Sequence, residues 1–142
     1  MLKLPDSPDR RSAIAWTLLR LTLAGLLAAH GWARLVAGGV VPFGAWLDSL
    51  GFPFGLALAS LVTAIEILGT PVFALGYRVF ALSLLFAFIY SLGAVLVHLP
   101  AGWFVVGLGR NGMEYSALLI ACLLLVGWQH RRRPAPAEGV PT

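Results

Sequence analysis

The stretch Phe54–Tyr77, FGLALASLVTAIEILGTPVFALGY, decides how the chain is read. At about 1.5 Å per residue it is long enough to cross a bilayer. Its one charged side chain, Glu66, stands near the middle. A carboxylate in hydrocarbon costs on the order of 2.5–3.5 kcal/mol even on lenient insertion scales, so a partner, a cavity or a proton must compensate it. The other apolar segments read as walls around that group.

Working outward, the 142-residue chain is 59% hydrophobic and 11% charged, with a mean hydropathy of +0.87. No soluble domain of this length has interior enough to hide so much apolar surface. An all-α integral membrane protein is expected, with one compact domain. The net charge of +4 comes from arginines at the ends of apolar runs. That placement assigns the charge to membrane topology rather than to nucleic acid. The single cysteine, Cys122, lies inside an apolar run. No CxxC is present, which excludes dithiol redox chemistry by this chain alone, and the thiol reads as packing. Lys3, Arg10 and Arg11 resemble the basic region of a signal peptide. Arg20 inside the following run, and three later spans, favour a retained helix.

In chain order, residues 1–12 read as a cytoplasmic tail and 13–129 as a four-helix transmembrane domain. Residues 130–142 read as a disordered cytoplasmic tail. Span one runs from Ala13 to about Gly31, and span two from Phe54 to Gly76. Span three runs from Val79 to Leu99, and span four from Gly112 to Gln129. Between spans one and two, FGAWLDSLGF sets Phe43, Trp46, Leu47 and Leu50 at helical spacing with Asp48 opposite. This predicts a short helix lying in the membrane interface. With the N-terminus inside, the inner side carries Lys3, Arg10, Arg11, Arg78, Arg131, Arg132 and Arg133, and the outer side only Arg34 and Arg110. That bias places both termini in the cytoplasm, and short connections predict an up-down bundle.

Two polar groupings follow from this topology. Arg20 is placed about 10–13 Å, and Glu66 about 15 Å, above the inner ends of their helices. The matching depths predict an Arg20–Glu66 pair inside the bundle, either as a helix lock or as a group that changes protonation with a ligand. Thr63, Glu66 and Thr70 share one helical face, which predicts an inward polar stripe. At the outer end, His30 and His98 close spans one and three, Glu114 and Tyr115 open span four, and Trp32 and Trp103 follow the histidines. Two histidines and a carboxylate suit a metal. His and Tyr with a Trp wall suit a quinone head group, and two histidines suit haem. Interfacial His, Trp and Tyr are also simply common at that depth.

The residues then carry a family resemblance. LLRLTLAGLLAAHGWARL (Leu18–Leu35) resembles the first helix of DoxX-type membrane proteins: an arginine, small and apolar residues, then His-Gly and a basic residue. GAWLDSLGFP (Gly44–Pro53) resembles their segment before helix two, and Glu66 followed by Gly69 their acidic motif. HLPAGWF (His98–Phe104) and NGMEY (Asn111–Tyr115) resemble the end of helix three and the start of helix four. The similarity covers about residues 14–129. Arg34 stands where a lysine is frequent, a basic residue in either case.

The resemblance implies a four-helix protein of the bacterial inner membrane, related to the membrane subunit of thiosulfate:quinone oxidoreductase. It implies a redox-associated, quinone-linked role without a reaction for this chain. The expectation is a small subunit that sets an outward-facing site beside the quinone pool. His30, His98, Glu114, Tyr115 and Trp103 would hold the ligand, with Arg20 and Glu66 deeper. Electrons would come from a partner protein or a bound cofactor. Two other readings stay open: a non-enzymatic assembly or anchoring subunit, and a small-solute transporter working as a homo-oligomer with Glu66 as coupling site.

Overall fold

The computed structural model describes residues 8–131, and every regular element in that range is helical. Five α-helices follow in order: α1 Pro8–Val36, α2 Val40–Ser49, α3 Gly55–Ala74, α4 Val79–Gly93 and α5 Glu114–Gln129. A π turn, Ala94–His98, and a 3₁₀ turn, Leu99–Ala101, extend α4. Three helical stretches are long and apolar enough to cross a membrane: Pro8–Val36, Gly55–Ala74 and Val79–Ala101. α5 is shorter, at 16 residues. Helix α1 starts at Pro8, inside the stretch read as a tail. Residues 1–7 and 132–142 lie outside the described range, and with them all of the expected 130–142 tail except His130 and Arg131.

The sequence dictates an inside-out distribution. Along α3 the buried positions are Gly55, Ala59, Thr63, Glu66, Thr70 and Phe73, a stripe at three- and four-residue spacing. Three of the six are polar. Leu56, Leu61, Leu68 and Val72 on the other faces are exposed. Exposed leucines and buried threonines are what a lipid solvent requires, since lipid takes the apolar side chains and the backbone is satisfied within each helix. The apolar core joins Leu23 and Leu27 of α1, Phe73 of α3, Phe86 of α4 and Leu123 and Val126 of α5.

Helix α1 packs chiefly along α3, α4 along α5, and α2 across the first half of α3. The α3–α4 seam is sparse by comparison. Glycines set the close approaches. A Cβ on Gly31 would lie 2.8 Å from Cβ of Glu66 and 3.0 Å from Cγ1 of Ile67. A Cβ on Gly44 would lie 2.6 Å from Cα of Leu56, so α2 rests directly on the α3 backbone. Asp48 Oδ1 accepts the Gly55 N–H at 2.8 Å and supplies an acceptor to one of the unpaired donors at the start of α3. On the other pair, a Cβ on Gly127 would lie 2.8 Å from Cβ of Ser83.

The distortion at Ala94–His98 has a local cause. Pro100 has no N–H and its ring crowds the carbonyl four residues back, so α-geometry cannot run through Leu96 to Pro100. The π turn absorbs the mismatch.

The Gly31 contact gives a paired expectation for thermal unfolding in detergent. Gly31→Ala forces α1 from α3 and costs about 1–3 kcal/mol, the usual range for overpacking. Gly25→Ala, whose Cβ would meet nothing within 4 Å, leaves the melting temperature unchanged or slightly raised. Equal melting temperatures for the two variants would contradict the packing described.

Candidate functional site

Glu66 is 2% exposed and anchors a polar network spanning three helices. Its Oε2 accepts from Nη1 of Arg34 at 2.5 Å, and its Oε1 accepts from the Tyr90 hydroxyl at 3.1 Å. Arg34 Nη1 also donates to Thr63 Oγ1 at 3.2 Å, and that hydroxyl donates to the Ala59 carbonyl at 2.7 Å. The Thr70 hydroxyl donates to the Glu66 carbonyl at 2.7 Å. The Arg34 guanidinium lies over the Phe43 ring of α2, 4.8 Å from its centroid, a contact worth about 0.5–2 kcal/mol. Glu66 therefore holds an ion pair and a phenol, and its cation partner Arg34 adds the contact to Phe43.

This corrects the expected Arg20–Glu66 pair. Helices α1 and α3 run antiparallel with Gly31 against Glu66 and Arg20 against Gly76. Arg20 thus lies roughly three turns from the Glu66 level. Depths counted from the helix ends misalign the two, because the inner end of α1 runs past that of α3: Arg20, twelve residues into α1, is level with Gly76, just beyond the end of α3. Arg20 Nη1 instead donates to Nε2 of His130 at 3.1 Å, and His130 Nδ1 donates to the Val126 carbonyl at 2.9 Å. The guanidinium sits near the C-terminal ends of α3 and α5, where a cation is favoured.

Beside the Glu66 network lies a cavity of about 450 Å³. Arg34, Glu66, Tyr90, His30, His98 and Ser116 supply its polar lining, and the rest is apolar or aromatic. Helix α2 contributes Phe43 and Trp46, stacked at 5.9 Å, as one wall. Leu61 of α3 and Phe88 and Leu92 of α4 line the cavity and are also exposed on the outer surface. The cavity therefore reaches the apolar exterior along the sparse α3–α4 seam. Such a volume and lining suit a small, largely apolar ligand oriented by few polar groups.

Both histidines are fixed by backbone carbonyls. His30 Nδ1 donates to the Leu26 carbonyl at 2.9 Å, and the ring meets Tyr90 edge-on at 5.7 Å. His98 Nδ1 donates to the Asn111 carbonyl at 2.8 Å. Asn111 has φ of +61°, a conformation that asparagine tolerates better than most side chains.

Glu114, Tyr115 and Trp103 do not line this cavity. Glu114 Oε1 accepts the Val105 N–H at 3.0 Å and pins the loop before α5. Within that loop, Met113 and Glu114 N–H groups donate to the carbonyls of Gly102 and Trp103, both at 3.0 Å. Trp103 and Tyr115 are exposed. Among the described residues, no three of His, Cys, Asp and Glu converge to hold a metal ion. The set His30, His98 and Glu114 is therefore not assembled. Of the candidate site residues singled out in the sequence, His30, His98 and Glu66 line the cavity; Arg34, Tyr90 and the α2 aromatics line it as well and were not among them. Arg34 follows Gly31 by three positions on the face that buries Leu23 and Leu27, a signal readable in the sequence.

Comparison with protein-family models, with characterised proteins and with solved structures returns no match.

The ion pair yields a further expectation. Arg34→Met leaves the Glu66 carboxylate buried without its cation and costs about 3–5 kcal/mol. Arg34→Met/Glu66→Gln removes both charges and recovers most of that loss in a detergent or bicelle melt. A double variant no more stable than the single one would show that the pair does not act as a unit.

Proposed function

We propose that this chain is a DoxX-like, multi-pass protein of the bacterial inner membrane whose α3–α4 cavity binds the head group of a lipid-soluble quinone. The carrying observation is the cavity itself. Its walls are apolar, its polar groups gather around His30, His98 and Tyr90, and its mouth lies among side chains that face outward on α3 and α4. A ligand dissolved in the bilayer has a path to such a site.

In this reading α1, α3, the extended α4 and α5 cross the membrane as a four-helix bundle. Helix α2 lies at the outer interface, with its aromatics turned to the cavity. Helix α5, about 24 Å long, is the shortest crossing. The basic residues Arg10, Arg11, Arg78 and Arg131 mark the cytoplasmic face, and Arg34 and Arg110 the outer one. Site and charge bias thus lie at opposite ends. The resemblance over residues 14–129 supports the same assignment.

Oxidation or reduction of a bound quinone needs an electron partner, because the chain offers one cysteine and no dithiol. We assign that role to a partner protein. The exposed apolar loop residues Trp103, Phe104, Val106 and Leu108 form a surface at the cavity end for its attachment.

Gly93 gives a clean test. It lines the cavity, has helical φ and ψ, and a Cβ there meets nothing within 4 Å. Gly93→Leu therefore starts its side chain in open space and occupies cavity volume. A decyl-substituted benzoquinone is expected to quench the fluorescence of Trp46 saturably, with the component lost in Trp46→Phe. Gly93→Leu should abolish saturable quenching while leaving the melting temperature unchanged. Linear, non-saturating quenching in the unmodified protein would remove the cavity as a quinone site.

A further inference from the structure

We propose that the cavity selects the hydroquinone form over the quinone, a conclusion that rests on the cavity reading above and specifies its ligand. The hydrogens that the lining can give decide the preference. A carbonyl oxygen only accepts, so His30 Nδ1 must carry a hydrogen to bond Leu26, and His98 Nδ1 must carry one to bond Asn111. In each neutral ring Nε2 is then a bare lone pair. It is the one polar ring atom either histidine has left to offer the cavity it lines. The Tyr90 hydroxyl spends its hydrogen on Glu66 Oε1, so its oxygen also faces further partners only as an acceptor. Glu66 accepts from both Arg34 and Tyr90.

Donors are scarcer. The remaining N–H groups of Arg34 donate, and the Ser116 hydroxyl does either. A quinone carries two carbonyls and can only accept. It would leave His30, His98 and Tyr90 facing one another's lone pairs or an acceptor, a mismatch that costs most in an apolar site. A hydroquinone carries two hydroxyls that both donate and accept, and it satisfies the histidine nitrogens and Arg34 alike. The same backbone carbonyls that orient the two rings therefore set the polarity of the site.

The test is calorimetric titration of the detergent-purified full chain under argon at about pH 8, where free imidazole is neutral. Three probes of one skeleton are used: the decyl benzoquinone, its hydroquinone and the hydroquinone dimethyl ether. The hydroquinone is expected to bind on the order of tenfold more tightly than both others, the worth of one or two neutral hydrogen bonds. In His30→Phe/His98→Phe that preference should vanish. The ether arm needs no variant and keeps the test decisive if the double variant misfolds. Binding of the quinone or the ether as tight as that of the hydroquinone, blocked by Gly93→Leu, would overturn the selectivity and leave the cavity reading standing. No saturable binding of any probe would overturn both.

Discussion

The carboxylate of Glu66 is the constraint on which the molecule depends. It lies in a helix whose outer faces are leucine and valine, so it cannot be left to the surrounding lipid. Gly31 lets α1 approach until Arg34, one turn on, reaches it. Tyr90 brings α4 to the second oxygen, and Phe43 of α2 covers the guanidinium. Four of the five helices are thus referenced to one side chain. Helix α5 is tied separately, through the Gly127–Ser83 approach and the apolar core at Phe86 and Leu123. A buried ion pair is weak evidence for stability in itself, because desolvation offsets much of its attraction. Here its value is geometric: it fixes the register of α1 on α3 and leaves the polar side of a cavity in a defined place.

That placement accounts for the character of the cavity. Helices α3 and α4 meet sparingly, and the cavity lies beside Glu66 and Tyr90. The Pro100-induced π turn carries His98 to the cavity beside His30, and the loop closed by Glu114 supplies the carbonyl that orients it. Helix α2, seated on α3 through Gly44 and capping it through Asp48, closes the end with aromatic rings. The opposite end of the molecule is built differently, from Arg20 and His130 near helix C-termini. One end carries a guanidinium held against a histidine, and the other an apolar cavity with a few polar groups.

Much of this was legible from periodicity. The stripe from Gly55 to Phe73, with Thr63, Glu66 and Thr70 turned inward, follows from three- and four-residue spacing alone. The pairing of His30 with His98 at one end follows from span order. The partner of Glu66 was not legible from depth, because antiparallel register is set by a close contact at Gly31 and not by where apolar runs begin. Glu114 read as a ligand because its bond to Val105 depends on how a twelve-residue loop folds back, and local sequence carries no signal for that. Tyr90 carries no such signal in the local sequence either. Only the three-dimensional meeting of α4 with α3 makes it the second partner of Glu66.

The most direct measurement is photolabelling in native-like lipid with a quinone carrying a short diazirine chain, read out by mass spectrometry of the cleaved chain. The account predicts labels concentrated at the cavity lining, in α2 near Trp46 and in α4 from Leu85 to His98, and competed away by unlabelled quinone. Labels spread evenly over the exposed leucines of every helix and insensitive to competitor would contradict it.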